Sequence, residues 1–124
     1  MIVKSLEDTK KYANQIIKKL GNHKFILLDG DLGSGKTTLT KFIAEALGEK
    51  KVVVSPTFNI MKIYDKFIHI DAYKLNGTLE EYEDYFGDKI VIIEWWKNLK
   101  ENFNENSLKI KIYKKNNERI FEEE

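Results

Sequence analysis

The chain has 124 residues, 42% of them hydrophobic and 33% charged, a balance that suits a globular fold and excludes a disordered one. Its 21 basic and 20 acidic side chains leave a net charge of +1, so there is no global basic footprint for nucleic acid, and any RNA contact must be local or made by a partner. Cysteine is absent, which removes disulfides and thiolate metal sites; no stretch has the apolar core of a signal peptide or the length of a membrane span, so a single cytoplasmic domain over residues 1–124 is expected.

In chain order, Ser5 to Leu20 predicts an amphipathic helix. Leu6, Ala13, Ile16, Ile17 and Leu20 share its apolar face, Ser5 and Asp8 form a capping-box pattern, and Gly21 supplies the stop. Thr9, one turn in, reads by default as a neutral helix-surface residue. The unbroken apolar run Phe25 to Leu28 predicts a strand covered on both faces. Leu39, Phe42, Ile43, Ala46 and Leu47 then recur with helical spacing up to Gly48. Lys51 to Ser55 reads as a short buried strand on its three valines, and Pro56, the only proline, sets a turn after it. Asn59 to Tyr64 and Phe67 to Asp71 read as a hairpin about Asp65-Lys66. A loop from Ala72 to Gly77 leads to a capping-box pattern at Thr78 to Glu81, which predicts a short acidic helix to about Phe86. Lys89 to Glu94 is a second strong strand signal. Ser107 to Lys114 alternates apolar and lysine residues, as a strand with one solvated face near a sheet edge would. Asn116-Asn117 is a turn, Arg119 to Phe121 can pair back, and Glu122 to Glu124 reads as a frayed tail.

Between the first strong strand and its helix lies Gly30-Asp-Leu-Gly-Ser-Gly-Lys-Thr-Thr38. Gly30, Gly35, Lys36 and Thr37 match the phosphate-binding loop, with Gly33 as an extra glycine. Glycines let main-chain N–H groups approach phosphate oxygens, and the first turn of the following helix adds its dipole. Lys36 can then reach the β- and γ-phosphates, Thr37 can ligate Mg²⁺, and Thr38 can contact the α-phosphate. Strands alternating with helices around such a loop predict an α/β three-layer sandwich of the P-loop type, with a mixed, mainly parallel sheet and antiparallel hairpin strands. Ligands in such sheets lie beyond the carboxyl ends of the strands. That rule brings forward Glu94 and Asp71, each at a strand end, as metal-side or water-orienting acids, against the plainer reading of solvated strand-end carboxylates. His69 shares a strand face with Asp71 and reads as structural. Ser55 and Thr57 flank the proline and could form a switch loop that senses a γ-phosphate, although a turn-forming role is the simpler reading. Trp95 either packs under the sheet or offers its face at the site rim. No Asn-Lys-x-Asp stretch selects guanine, so ATP is the default nucleotide.

The phosphate loop, Ser55-Pro-Thr-Phe58, His69-Ile-Asp-Ala-Tyr73 and Ile93-Glu-Trp95 fall in order and at fitting distances. Together they resemble the small ATPase of bacterial tRNA threonylcarbamoyladenosine synthesis, the TsaE (YjeE) family, over essentially the whole chain. The resemblance implies an ATP- and Mg²⁺-dependent accessory ATPase, weak alone, that joins the threonylcarbamoyl transferase and its inactive paralogue and supports their turnover on tRNA. It implies nucleotide contacts from Asp31, Gly33, Ser34, Gly35, Lys36, Thr37 and Thr38, with Trp95 beside the site. It implies metal ligation by Thr37 and Glu94, a catalytic-site acid at Asp71, a switch loop at Ser55 to Phe58, a base-side contact at Thr9 and a nucleotide contact at Arg119, the only arginine. Lys74 stands where the family usually has arginine, and lysine lacks that residue's bidentate geometry. Trp96 replaces a residue that is commonly small or proline. Two other functions suit the same loop: a small-metabolite kinase, for which the chain lacks an obvious arginine-bearing lid, and a nucleotide-dependent interaction module without hydrolysis.

Overall fold

The computed structural model describes residues 1–31, 33–54, 60–103 and 106–124. Its centre is built from the apolar runs. β2 (Phe25–Asp29) lies between β5 (Ile90–Glu94) and β6 (Ser107–Lys115), parallel to both, and β4 (Phe67–Asp71) runs parallel to β5. Ile26, Leu27 and Leu28 are fully buried, as a strand covered on both faces requires. Antiparallel strands flank this core: β3 (Met61–Ile63) beside β4, then β7 (Glu118–Glu123) beside β6 and β1 (Ile2–Val3) beside β7. The order is β1-β7-β6-β2-β5-β4-β3.

Strand alternation sends side chains to two separate cores. On one face Ile26, Leu28, Ile92, Ile110 and Phe121 pack with α1 (Leu6–Leu20) and α2 (Lys36–Ala46), which also lie against each other. On the other, Leu27, Ile68, Ile70, Val91 and Ile93 are covered by Leu79, Phe86, Leu99 and Phe103. That third layer is made of turns and two 3-10 turns, Glu83–Tyr85 and Trp96–Asn98, with both α-helices on the opposite side.

Several elements form as their residues dictate. Ser5 Oγ accepts the Asp8 N–H at 3.2 Å, and the Asp8 carboxylate takes the N–H of Lys4 at 2.9 Å, so the cap is reciprocal but shifted by one residue. Gly21 ends α1 with φ of 51°. The hairpin turns at Asp65-Lys66 as expected, and the Asn116-Asn117 turn joins β6 to β7.

Other expectations are corrected. Residues 51–54 are not a strand: Val52 and Val54 are exposed, only Val53 is buried, and the N–H of Val54 goes to the Tyr64 hydroxyl at 3.2 Å instead of a sheet neighbour. Thr78 to Phe86 does not make a helix. The Leu79 N–H is taken by Glu101 at 2.6 Å, and Tyr82 bonds back to Leu79 with 3-10 spacing. Four acidic side chains between Glu80 and Asp84 also repel at helical spacing. Leu6 is exposed, and the buried face of α1 is instead Thr9, Tyr12, Ala13, Ile16 and Leu20. β6 alternates as predicted but is interior, because β7 and β1 continue the sheet beyond it. The expected frayed tail belongs to β7 as far as Glu123, and the Glu124 N–H bonds Lys109 at 2.8 Å.

Candidate functional site

The glycines after β2 serve two different needs. A Cβ on Gly30 would fall 2.7 Å from both the Ile112 carbonyl and Ser34 Oγ, so close approach to β6 demands glycine there. Gly33 and Gly35 have φ of 76° and 112°, which turn the chain into α2. The Ser34 N–H closes the turn on the Asp31 carbonyl at 3.0 Å. The opening N–H groups of α2 have no partner within the helix and point out from its positive end. Gly30→Ala is expected to destabilise the protein by about 1–3 kcal/mol, read as a lowered urea midpoint, because the Ile112 main chain cannot step aside as a flexible side chain would.

Lys36 starts α2 and is only 5% exposed. Its ammonium donates to the Gly30 carbonyl, sits 3.5 Å from the Asp31 carbonyl and lies 4.0 Å from the centre of the Trp95 ring. Burial pushes its pKa down, and the nearby Glu94, Asp71, Asp29 and Asp31 carboxylates oppose that shift. Trp95 is in the left-handed conformation, with φ of 58°, just beyond β5. Its ring meets Tyr73 edge-on at 4.9 Å, so it both packs and roofs the lysine.

The sheet register aligns the two acids. Asp71 on β4 is paired with Glu94 on β5, and Glu94 with Leu28, just before the loop. Asp71 Oδ1 accepts the Tyr73 N–H at 2.9 Å. Glu94 is 4% exposed, and its Oε2 lies 2.6 Å from Nε2 of the fully buried His69. Sequence reasoning left His69 out of the site. The available signal was the His-x-Asp spacing, which places it on the Asp71 face of the strand.

Gly33, Ser34, Gly35, Lys36, Thr37 and Thr38 line one side of a cleft of about 280 Å³. Asp71, Glu94, Trp95 and Arg119 line the other. Arg119 comes from β7, where it is paired with Val3 of β1, and packs against Gly35, whose Cβ would stand 3.4 Å from Nη1. A wider cavity of about 830 Å³ adjoins on the far side of Arg119, between the start of α1 and the β6–β7 turn, with Thr9, Asn116 and Asn117 in its wall. Thr9 is therefore buried, not a surface residue, and lies in this second cavity; its hydroxyl donates to the Ser5 carbonyl at 3.4 Å. The Asp31 side chain is exposed, and that residue enters the site through its carbonyl. Ser55 and Thr57 lie outside the described residues.

Comparison with known proteins shows the family. The family model described as "Threonylcarbamoyl adenosine biosynthesis protein TsaE" matches residues 3–121. The chain belongs to the TsaE family. Among curated TsaE proteins, that of Streptomyces coelicolor is 33% identical over 114 residues, covering 83% of this chain and 77% of the relative. The Aquifex aeolicus protein is 37% identical over 129 residues, covering 93% and 96%. The Bacillus subtilis protein is 35% identical over 113 residues, covering 86% and 72%. The crystal structure of YdiB from the same Bacillus species superposes with a TM-score of 0.75 at 30% identity, over 98% of this chain and 80% of that one. As a TsaE protein the chain takes part in tRNA threonylcarbamoyladenosine biosynthesis, and its P-loop-type fold is consistent with nucleotide binding. Among the described residues, no helix is long and apolar enough to cross a membrane.

The donor set fits a magnesium nucleotide. Ser34 Oγ and Arg119 Nε are buried and have no hydrogen-bond partner among the described residues, both beside the cleft. The N-terminus of α2, Lys36 and Arg119 suit a polyanion, while Thr37, Asp71 and Glu94 offer the hard oxygens that Mg²⁺ takes. No group of three or more His, Asp or Glu side chains is gathered as a metal cage among the described residues. One or two protein oxygens completed by phosphate and water is the usual arrangement for this ion.

Proposed function

We propose that this TsaE protein binds ATP with Mg²⁺ in the cleft over α2 and hydrolyses it slowly, as the accessory subunit of the cytoplasmic machinery that makes threonylcarbamoyladenosine on tRNA. One observation carries the reading: the N-terminus of α2, Lys36, Thr37, Arg119 and the paired acids Asp71 and Glu94 converge on a single cleft. Lys36 leaves the Gly30 carbonyl for the β- and γ-phosphates, and the loop amides from Gly33 to Thr38 hold the phosphate oxygens. Thr37 and Glu94 hold the metal, which when bound neutralises charge on the phosphates. Asp71 orients the attacking water, and Trp95 shields Lys36 from solvent. Arg119 separates the two cavities, so the nucleoside lies toward Thr9 and the β6–β7 turn. Residues 1–124 act as one ATPase domain in this reading, with Ser55 and Thr57 as its switch loop.

The proposed partners are the threonylcarbamoyl transferase and its inactive paralogue, with tRNA reached through them and no small-molecule acceptor. The test is phosphate release measured with the protein alone, then with both partners and tRNA. Low release alone and a clear rise that requires the partners is the expected result. Transfer of the γ-phosphate to a metabolite would establish the kinase alternative instead, and binding with no release under any condition would establish an interaction module.

A further inference from the structure

The Glu94–His69 contact does more than neutralise a buried acid. Glu94 is almost enclosed yet lines the cleft, and a buried carboxylate must be hydrogen-bonded. His69 reaches it diagonally across the β4–β5 pair, since His69 is in register with Ile92 and Asp71 with Glu94. The ring is fully buried, with its centroid 6.5 Å from that of Phe67, and Phe67 in turn stacks on Tyr64 at 4.6 Å. A carboxylate only accepts, so the 2.6 Å contact requires the proton on Nε2. Nδ1 has no partner among the described residues. The opposite tautomer would set a ring lone pair against a carboxylate oxygen.

The contact takes Oε2, and the Glu94 side chain lines the cleft. Glu94 also has a competing attraction. Of the four carboxylates acting on the Lys36 ammonium, it exerts the largest pull. A Glu94 free to rotate would pair with Lys36 and withdraw the loop's cation and the metal-side oxygen together.

We infer that His69 is a positioning residue, which by holding Glu94 Oε2 keeps the carboxylate off Lys36 and presents Oε1 to a nucleotide-bound magnesium ion. This rests on the nucleotide site proposed above. Partners of a metal-ligating group typically change metal affinity or activity by about 10- to 100-fold when removed.

Two variants separate positioning from packing: His69→Leu removes the donor, while His69→Gln keeps a terminal N–H near the place of Nε2. The reading is the Mg²⁺ concentration giving half-maximal enhancement of binding of a non-hydrolysable ATP analogue, followed by calorimetry. His69→Leu is expected to raise that midpoint by about 10-fold or more, and His69→Gln to restore most of it. A wild-type midpoint in a folded His69→Leu protein overturns the inference while the nucleotide site stands. Absence of Mg²⁺-dependent binding in the unaltered protein overturns the site and the inference together. If His69→Leu does not fold, the ring nitrogens of the unaltered protein decide by ¹⁵N NMR: a proton on Nε2 supports the inference, and a ring protonated on Nδ1 alone sinks it.

Discussion

Lys36→Met is expected to abolish ATP binding while leaving the ligand-free protein as stable as its parent or slightly more so. Methionine keeps the buried stem and removes only the ammonium. That ammonium is costly where it sits, because burial disfavours its charge. Its compensation without ligand is the Gly30 carbonyl, the Trp95 face and the nearby carboxylates, which together do not outweigh its burial, and removing it frees that carbonyl for water or a loop amide. With nucleotide present the sign reverses, since a polyphosphate on the α2 N-terminus needs the cation. ATP and Mg²⁺ at a hundred times the dissociation constant would stabilise the unaltered protein by about 2.7 kcal/mol, a rise in Tm of about 10 °C for a chain of this size. Lys36→Met should show no rise in Tm and no calorimetric heat. Normal binding by this variant would mean that the site is elsewhere.

Glu94→Ala should separate binding from chemistry. Removing the carboxylate lowers the negative charge around Lys36, so Mg²⁺-free nucleotide binds as well as before or better. Hydrolysis should fall by about 10- to 100-fold or more, because the oxygen that holds the metal side is gone. Stability should also drop by about 1–3 kcal/mol, since Nε2–H of His69 is left buried without an acceptor. Single-turnover phosphate release with the partner proteins present, beside a Tm without nucleotide, measures both. Unchanged release would remove Glu94 from the chemistry and leave its pairing with His69 as packing.

The parts of the site that were legible in the sequence are those encoded locally. Strand, glycine loop and helix follow one another between Phe25 and Ala46, and the change of hydrophobic period marks the join. Glu94 could be placed because the apolar run Ile90 to Ile93 ends at it, and Asp71 because it closes the strand from Phe67, apolar but for His69. The Glu94–His69 contact was not legible, because it depends on the register between β4 and β5, which no single strand contains. Arg119 is set by β1, two residues too short to give a pattern, pairing with β7. The three valines after Lys51 express β propensity, but the Val54 N–H goes to the Tyr64 hydroxyl instead of a sheet neighbour. The acidic stretch after Thr78 has helical capping chemistry, but Glu101 takes the N–H at its start and its acidic side chains repel at helical spacing.

Placing both α-helices on one side of the sheet divides the molecule by how easily it loosens. The opposite cover is held by turns, with Leu79, Phe86, Leu99 and Phe103 as its anchors. Such a layer can lift in small local openings at a fraction of the free energy of global unfolding. The His69–Glu94 pair and the first turn of α2 lie on the helical side of the sheet, and Trp95 ties Lys36 to the other cover.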